Sequence, residues 1–434
     1  MKDQSRRMFC FQCEQTAGGR GCTSVGVCGK DPETSALQDL LIYSLRGLAQ
    51  VALESRRLGV YDESVGFFAC ECLFATLTNV NFDPDRIAGY LRGVEAKRRA
   101  LEERIRSAGG KPPAEGPAGL ALAGTKEGLV RQALGYVAEN YPEPVSDEYA
   151  LRSLLIIGLK GVAAYAYHTY KLGKVDDAVF KFIEEALAAP ATGKLGVEDL
   201  LGLALRCGWA NLKAMELLDS ANTEAYGHPA PVKVPLGVKK GKAILVSGHD
   251  LKDMEELLKQ TRGTGIYVYT HGEMLPAHGY PKLKAYPQLY GHYGTAWHNQ
   301  RREFNSFPGA ILMTSNCLLP PLEGYRGNVF TTGPVGAPGV PHISNGDFTP
   351  LIKRALELPG FPKDVPGKAI VVGYARNAVL SVAERIVRAV KEGRIRHFFL
   401  VGGCDGAKPA RSYYTEFVEK TPKDTVVLTL GCGK

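Results

Sequence analysis

"AILVSGH" (residues 243–249) and "GIYVYTHGE" (residues 265–273) are short apolar runs rich in Val, Ile and Tyr, separated by the amphipathic "LKDMEELLKQ". Strand-length runs that are continuously apolar, joined by helical segments, mark parallel strands buried on both faces. The same grammar continues in "GAILMTSNC" (309–317), "GNVFTTG" (327–333), "AIVVGY" (369–374), "HFFLVGGC" (397–404) and "TVVLTLGC" (425–432). Upstream, residues 31–225 read as one helix after another. Asp31-Pro32 and Asp83-Pro84 each supply an N-cap followed by proline at the first helical position, and Gly59 stops the first helix. Leu37, Leu40, Leu41, Leu45 and Leu48 recur at spacings of three and four on one face. A Pro/Gly break at 109–119 suggests two helical bundles, "GHPAPVKVPLGVKKGK" (227–242) reads as a linker, and "LPGFPKDVPGKA" makes a second junction near 362. The expected architecture is multidomain α + α/β. Helical bundles occupy 1–226, and two Rossmann-like parallel-sheet domains follow at 227–362 and 363–434, the second incomplete because 363–434 offers only three strands.

Open α/β sheets bind ligands beyond the carboxyl ends of their strands. Five of the seven expected strands end in, or lead into, a residue able to hold a metal: His249, Glu273, Cys317, Cys404 and Cys432. Any one of these alone would pass as a small residue ending a strand; five together point to a metal centre. Three thiolates suit iron with sulfide, whereas an imidazole and a carboxylate are harder donors, so the centre can keep an iron open to a small substrate. His271 and His278 flank Glu273 closely enough to act as proton donors. Cys70, Cys72 and Cys207 sit in apolar helical stretches and read as core. His168, His228, His292, His298, His342 and His397 lack a partner of this kind and are set aside.

A second constellation lies at the front. Cys10, Cys13, Cys22 and Cys28 follow the pattern C-x2-C-x8-C-x5-C. "SRRMF" briefly imitates a twin-arginine signal, but no apolar segment follows, so a reducing cytoplasmic location is expected and stable disulfides are not. Zinc sites usually pair two short knuckles, and here only one C-x2-C occurs. The Gly-, Ser- and Thr-rich spacer "TAGGRGCTSVG" lets backbone N–H groups turn toward anionic sulfur. These features favour an iron–sulfur cluster, with zinc as the alternative.

Composition narrows the class further. The 434 residues are 45% hydrophobic and 23% charged, ordinary for a globular chain. The net charge of +8 is spread over helices and mixed with acids, as in "AKRRALEERIR", without an aromatic-interleaved basic patch, which excludes nucleic acid as the expected partner. The most apolar stretch, residues 149–173, is interrupted by Arg152, Lys160, His168 and Lys171, so it reads as a buried helix and no membrane association is expected.

Taken together, "FCFQCEQTAGGRGCTSVGVCGK", "SGHD", "THGEMLPAHGYP", "TSNCLLPP", "VGGCDGAKPARSYYTEF" and "LTLGCGK" closely resemble the hybrid-cluster protein family, also called hydroxylamine reductase or prismane protein, from about residue 8 to the last residue. The resemblance implies a [4Fe-4S] cluster on Cys10, Cys13, Cys22 and Cys28. It also implies a hybrid [4Fe-2O-2S] cluster held by His249, Glu273, Cys317, Cys404 and Cys432, with Cys404 able to carry an extra sulfur as a persulfide. The implied activity is reduction of hydroxylamine to ammonia and water, or of nitric oxide to nitrous oxide, with electrons from a donor protein. His249, Glu273 and Cys404 are the implied catalytic residues, and His271 is a further proton-source candidate. Nitric oxide sensing with protein S-nitrosylation is the alternative; carbon monoxide dehydrogenase activity ranks below both. Family members continue past "LGCGK" and supply another Cys, a Glu and a Lys to the hybrid cluster. The expectation is therefore that this chain alone keeps only its N-terminal cluster, unless a separate chain carries the remainder.

Overall fold

The structure, a computed structural model, describes residues 8–140, 146–192 and 195–431. It divides into two compact units: Met1–Ala221 with Pro334–Pro338, and Asn222–Gly333 with Gly339–Lys434.

The first unit is built from α1 (Pro32–Arg57), α2 (Glu63–Ala75), α3 (Pro84–Ser107), α4 (Lys126–Asn140), α5 (Asp147–Lys171), α6 (Asp177–Thr192) and most of α7 (Val197–Tyr226). The Asp-Pro signals mark real starts. Asp31 accepts the Thr34 N–H at 2.7 Å, and Asp83 accepts those of Asp85 and Arg86 at 2.9 and 3.3 Å, satisfying donors that a helix N-terminus leaves unpaired. The leucine stripe of α1 is buried throughout, each side chain contributing about 1.5–3 kcal/mol relative to exposure.

The expected division into two bundles at 109–119 does not occur. One apolar core runs from Ala36 to Ala214 and includes Ala118. The reason lies in the break itself: Arg98 donates to the carbonyls of Ala118 and Leu120, both at 2.8 Å. Gly47 of α1 lets this segment approach so closely that a Cβ there would meet the Pro117 oxygen at 2.2 Å. Cys70, Cys72 and Cys207 are buried in the same core, as expected. The apolar helix α5 is long and apolar enough to cross a membrane by length and composition alone. It packs on α2 and α6 and buries Leu155, Ile156, Leu159, Lys160, Val162 and Ala163.

In the second unit, β2 (Lys242–Ser247), β3 (Ile266–Thr270), β4 (Leu289–His292), β5 (Ala310–Met313), β6 (Val329–Thr332) and β7 (His342–Ile343) form one parallel sheet in the order β4-β3-β2-β5-β6-β7, counting β1 as Val232–Pro235. Helix α8 (Leu251–Gln260) carries the chain from β2 to β3. Relative to β2 this is the doubly wound order 3-2-1-4-5-6, in which the strand order reverses between the parallel strands β2 and β5 and opens a crevice at their carboxyl ends. All of β2 after Lys242 and all of β5 are buried.

Three expectations are corrected. The supposed linker 227–242 contains β1, which pairs antiparallel with β8 (Ala369–Val372), Val232 opposite Val372. "AIVVGY" is therefore not a parallel strand. Its partner lies far back in the chain, and prolines at 231 and 235 disguise that partner as a linker. Strands β4 and β7, too short for a periodicity signal, extend the parallel sheet at both edges. By contrast β9 (His397–Val401) and β10 (Thr425–Thr429) pair in parallel, as read from the sequence.

Candidate metal and redox sites

Cys10 and Cys22 face each other through paired backbone hydrogen bonds, N–O distances 3.0 and 2.8 Å, with a 3₁₀ turn at Ala17–Gly19 between them. Positive φ at Gly18 (60°) and Gly19 (70°) makes that turn possible. The Ala17 N–H donates to Cys22 Sγ at 3.4 Å, and Thr16 Oγ1 lies 3.6 Å from the same sulfur. Burial pushes the Cys13 and Cys28 thiols up, and neighbouring cysteines add to this: Cys10, Cys28 and Cys22 act on Cys13, and Cys10 and Cys22 on Cys28. Burial also acts to raise Cys22, but the amides of Ala17 and Val27, the Thr16 hydroxyl and the Lys30 charge outweigh it, and its thiol titrates below the ordinary value. The four sulfurs thus share one field, and amides of Gln15, Ala17, Val27 and Lys30 are directed at three of them. Four thiols, mutually repelling as anions and met by backbone donors, are a donor set that fits an iron–sulfur cluster.

The crevice between β2 and β5 holds the second site. A pocket of about 50 Å³ is lined by Glu273, Cys317, Ser247, Gly248, Thr295 and Trp297, among others. His249 follows Gly248, and its Nδ1 lies 2.8 Å from Ser315 Oγ. Because the Ser315 hydroxyl donates its single proton to the Asn316 carbonyl at 3.2 Å, it accepts from the imidazole. This arrangement favours the Nδ1–H tautomer of His249, which carries its lone pair on Nε2, the form in which a histidine ligates metal. Gly248 makes the approach possible: its φ is +107°, and a Cβ there would sit 2.5 Å from the Ser315 amide. Ser315→Ala should loosen the ring and weaken metal retention by about 10–100-fold. Competition with a chelator checks this; unchanged retention would show that Ser315 does not orient His249.

His271 is not at the pocket wall. It is fully buried, its Nδ1 3.1 Å from Ser247 Oγ and its Nε2 2.9 Å from Glu303 Oε2. Burial alone raises the Glu303 carboxyl, but His271 and Thr295 outweigh it and hold it below the usual range. The carboxylate fixes the His271 Nε2–H, so Nδ1 accepts from Ser247. The ring thus positions Ser247 at the pocket wall and has neither nitrogen turned to a substrate. His278 is no proton donor either: burial, and secondarily Lys284, push its pKa down to about 3, so it is neutral near pH 7. His292, set aside from sequence, ends β4 and lies 3.0 Å from Thr270 Oγ1. Ser247, Ser315, Thr295 and Glu303 were missed; the polar runs closing buried strands, "VSGH" and "TSNC", were the available signal.

Cys404 is half-buried just after β9 and is not among the residues lining the pocket. Cys432 lies outside the described residues. Among the described residues, no three His, Cys, Asp or Glu side chains close around a single ion. The donor set that is assembled, Glu273 and Cys317 with His249 oriented beside them, fits a mixed iron–sulfur–oxygen centre in part.

Comparison with known proteins places these sites in context. The Prismane/CO dehydrogenase family profile matches residues 8–434. A protein from Syntrophobacter fumaroxidans named hydroxylamine reductase is 59% identical over 428 residues, 98% of this chain and 79% of that one. One of the same name from Methanocella arvoryzae is 56% identical over 432 residues, again 98% and 79%. Among solved structures, a carbon monoxide dehydrogenase from Thermococcus sp. AM4 aligns with TM-score 0.47 at 16% identity, covering 100% of this chain and 69% of that one. With a family profile spanning residues 8–434 and matches of this extent to proteins named as reductases, the chain is an enzyme of the Prismane/CO dehydrogenase family.

Proposed function

We propose that the enzyme reduces hydroxylamine to ammonia and water in the β2/β5 crevice. Cys10, Cys13, Cys22 and Cys28 would hold a [4Fe-4S] cluster, whose chemistry when bound would be the transfer of single electrons from a donor protein. The observation that carries the reading is the pocket lined by Glu273 and Cys317, about 50 Å³ in volume. A single water needs roughly 10–15 Å³ measured this way, and organic ligands occupy pockets of about 300 Å³ or more. The space excludes a large organic ligand and lies against the side chains proposed to hold the cluster. Names of relatives sharing over half their residues point to the same substrate.

His249, Glu273 and Cys317, with Cys404 and Cys432, are the proposed ligands of the hybrid cluster. When bound, that cluster supplies electrons and a Lewis-acidic iron. The reaction balances as NH2OH + 2e⁻ + 2H⁺ → NH3 + H2O: the N–O bond breaks, the departing oxygen takes one proton and nitrogen takes the other. Glu273, half-buried at the pocket wall, can pass a proton to the departing oxygen through the carboxylate oxygen that it would not give to iron. Ser247, locked by His271 and Glu303, has its hydroxyl proton committed to His271 and offers its oxygen as an acceptor for substrate N–H. Ala296 and Trp297 line the pocket beside Thr295. Domain limits of 1–226, 227–362 and 363–434 are proposed as the functional division.

Anaerobic oxidation of a reduced viologen dye by the iron-loaded enzyme, with hydroxylamine and with nitric oxide in parallel, tests the substrate. Faster turnover with hydroxylamine is expected. Turnover with nitric oxide alone would reassign the reaction, and none with either would remove the reductase reading.

A further inference from the structure

The first unit contains a larger cavity that this reaction does not use. Its volume is about 290 Å³ and it lies beside Cys10, between α1 and α5. Arg46 and Arg152 both line it. The Nε of each is sealed from solvent and has no hydrogen-bond acceptor, and neither guanidinium forms an ion pair among the described residues. Lys160, only 2% exposed, lies on the same wall, donating to Gln12 Oε1 at 2.9 Å and to the Thr76 carbonyl at 3.2 Å, and burial, with Lys30 nearby, lowers its pKa to about 7. Among the described residues, Asp39 is the one carboxylate lining the cavity. Phe11 and Tyr149 form an aromatic wall, their rings 6.4 Å apart.

Buried donors are paired in the great majority of folded proteins, and an unpaired cationic donor is among the costliest exceptions. Here the Nε atoms are sealed while both arginines are otherwise half-buried, so two guanidiniums against a single carboxylate make the cavity wall net positive and open to an anion. A guanidinium fork matches the planar oxygens of a carboxylate, and the neighbouring rings favour a flat body. We infer that this cavity binds a small planar anion, its carboxylate taken by Arg46 and Arg152 and its ring lying against Phe11 and Tyr149. The site belongs to the first unit alone, so the inference stands apart from the hydroxylamine reading. Its functional sense is positional: an anion seated beside Cys10 changes the charge felt by whatever the four cysteines hold.

Calorimetric titration of the iron-loaded protein under anaerobic conditions tests it, with benzoate as the probe and benzamide as its uncharged counterpart of the same shape. Benzoate should bind at least about tenfold more tightly than benzamide, a difference expected where charge-assisted bonds are made. Arg46→Gln and Arg152→Gln should each remove that preference and leave benzamide unchanged. Arg152→Lys should recover part of it, and Arg57→Gln, on the exposed face of α1, should change nothing. Thermal melts of each variant separate lost binding from lost folding. Equal affinity for the two probes, no benzoate binding, or full benzoate affinity in a folded Arg46→Gln protein would each overturn the assignment.

Discussion

Glu273→Gln should lower hydroxylamine turnover by about 10²–10⁴-fold, the range measured for removal of a positioned acid–base group. The substitution keeps the size and polarity of the side chain but removes its ability to hold and release a proton, and it weakens its capacity as a hard oxygen ligand. Glu273 owes its position to the fold: β3 ends at Thr270, and a 3₁₀ turn from Gly272 begins at once, setting the side chain in the crevice. Steady-state kinetics with reduced dye measures the effect. Glu255→Gln on α8 is the control, since that carboxylate pairs only with Lys252 and Lys259 at the surface. A Glu273→Gln enzyme within threefold of wild type would place the chemistry elsewhere.

Arg56→Ala should destabilise the first unit by about 3–5 kcal/mol, the cost of leaving a buried charge without its partner. Arg56 Nε lies 2.5 Å from Glu184 Oε2, and its Nη1 lies 2.8 Å from Asp177. The Glu184 side chain is only 2% exposed, and Tyr61 donates to its other oxygen at 2.6 Å. The guanidinium also stacks 3.5 Å over the Tyr61 ring. Removing it leaves the buried carboxylate with the Tyr61 hydroxyl but no cation, where burial already raises its pKa. Chemical denaturation of wild type and variant reads the difference. Replacement of an exposed pair such as Arg99–Glu95 should cost no more than about 0.5 kcal/mol. A loss below about 1 kcal/mol for Arg56→Ala would mean that Glu184 finds water or another partner.

Local signals carried far in this sequence. The Asp-Pro starts at 31 and 83 are N-caps because their chemistry is confined to one helical turn. The strands β2, β3, β5 and β6 were legible because each is continuously apolar, and His249, Glu273 and Cys317 because they follow those strands directly. Nonlocal facts were hidden. No pattern in 227–242 announces that Val232 will pair with Val372. The folding of Pro117 onto Gly47 depends on a missing Cβ far away in the chain. The Ser315 hydroxyl that favours one His249 tautomer, and the Glu303 carboxylate that ties up His271, became visible only when their distances were known. Sequence spacing does not report that both His271 nitrogens are turned to Ser247 and Glu303, nor that His278 is buried.

The most direct test of the account counts product against electrons. Iron-loaded enzyme is supplied anaerobically with ¹⁵N-hydroxylamine and a measured quantity of reduced dye, and labelled ammonium is quantified beside the same reaction run with Cys317→Ala. The account predicts one ammonium for every two electrons with the wild-type enzyme and none above background with the variant. Ammonium formed at the wild-type rate by Cys317→Ala, or dye oxidised without ammonium, would contradict it.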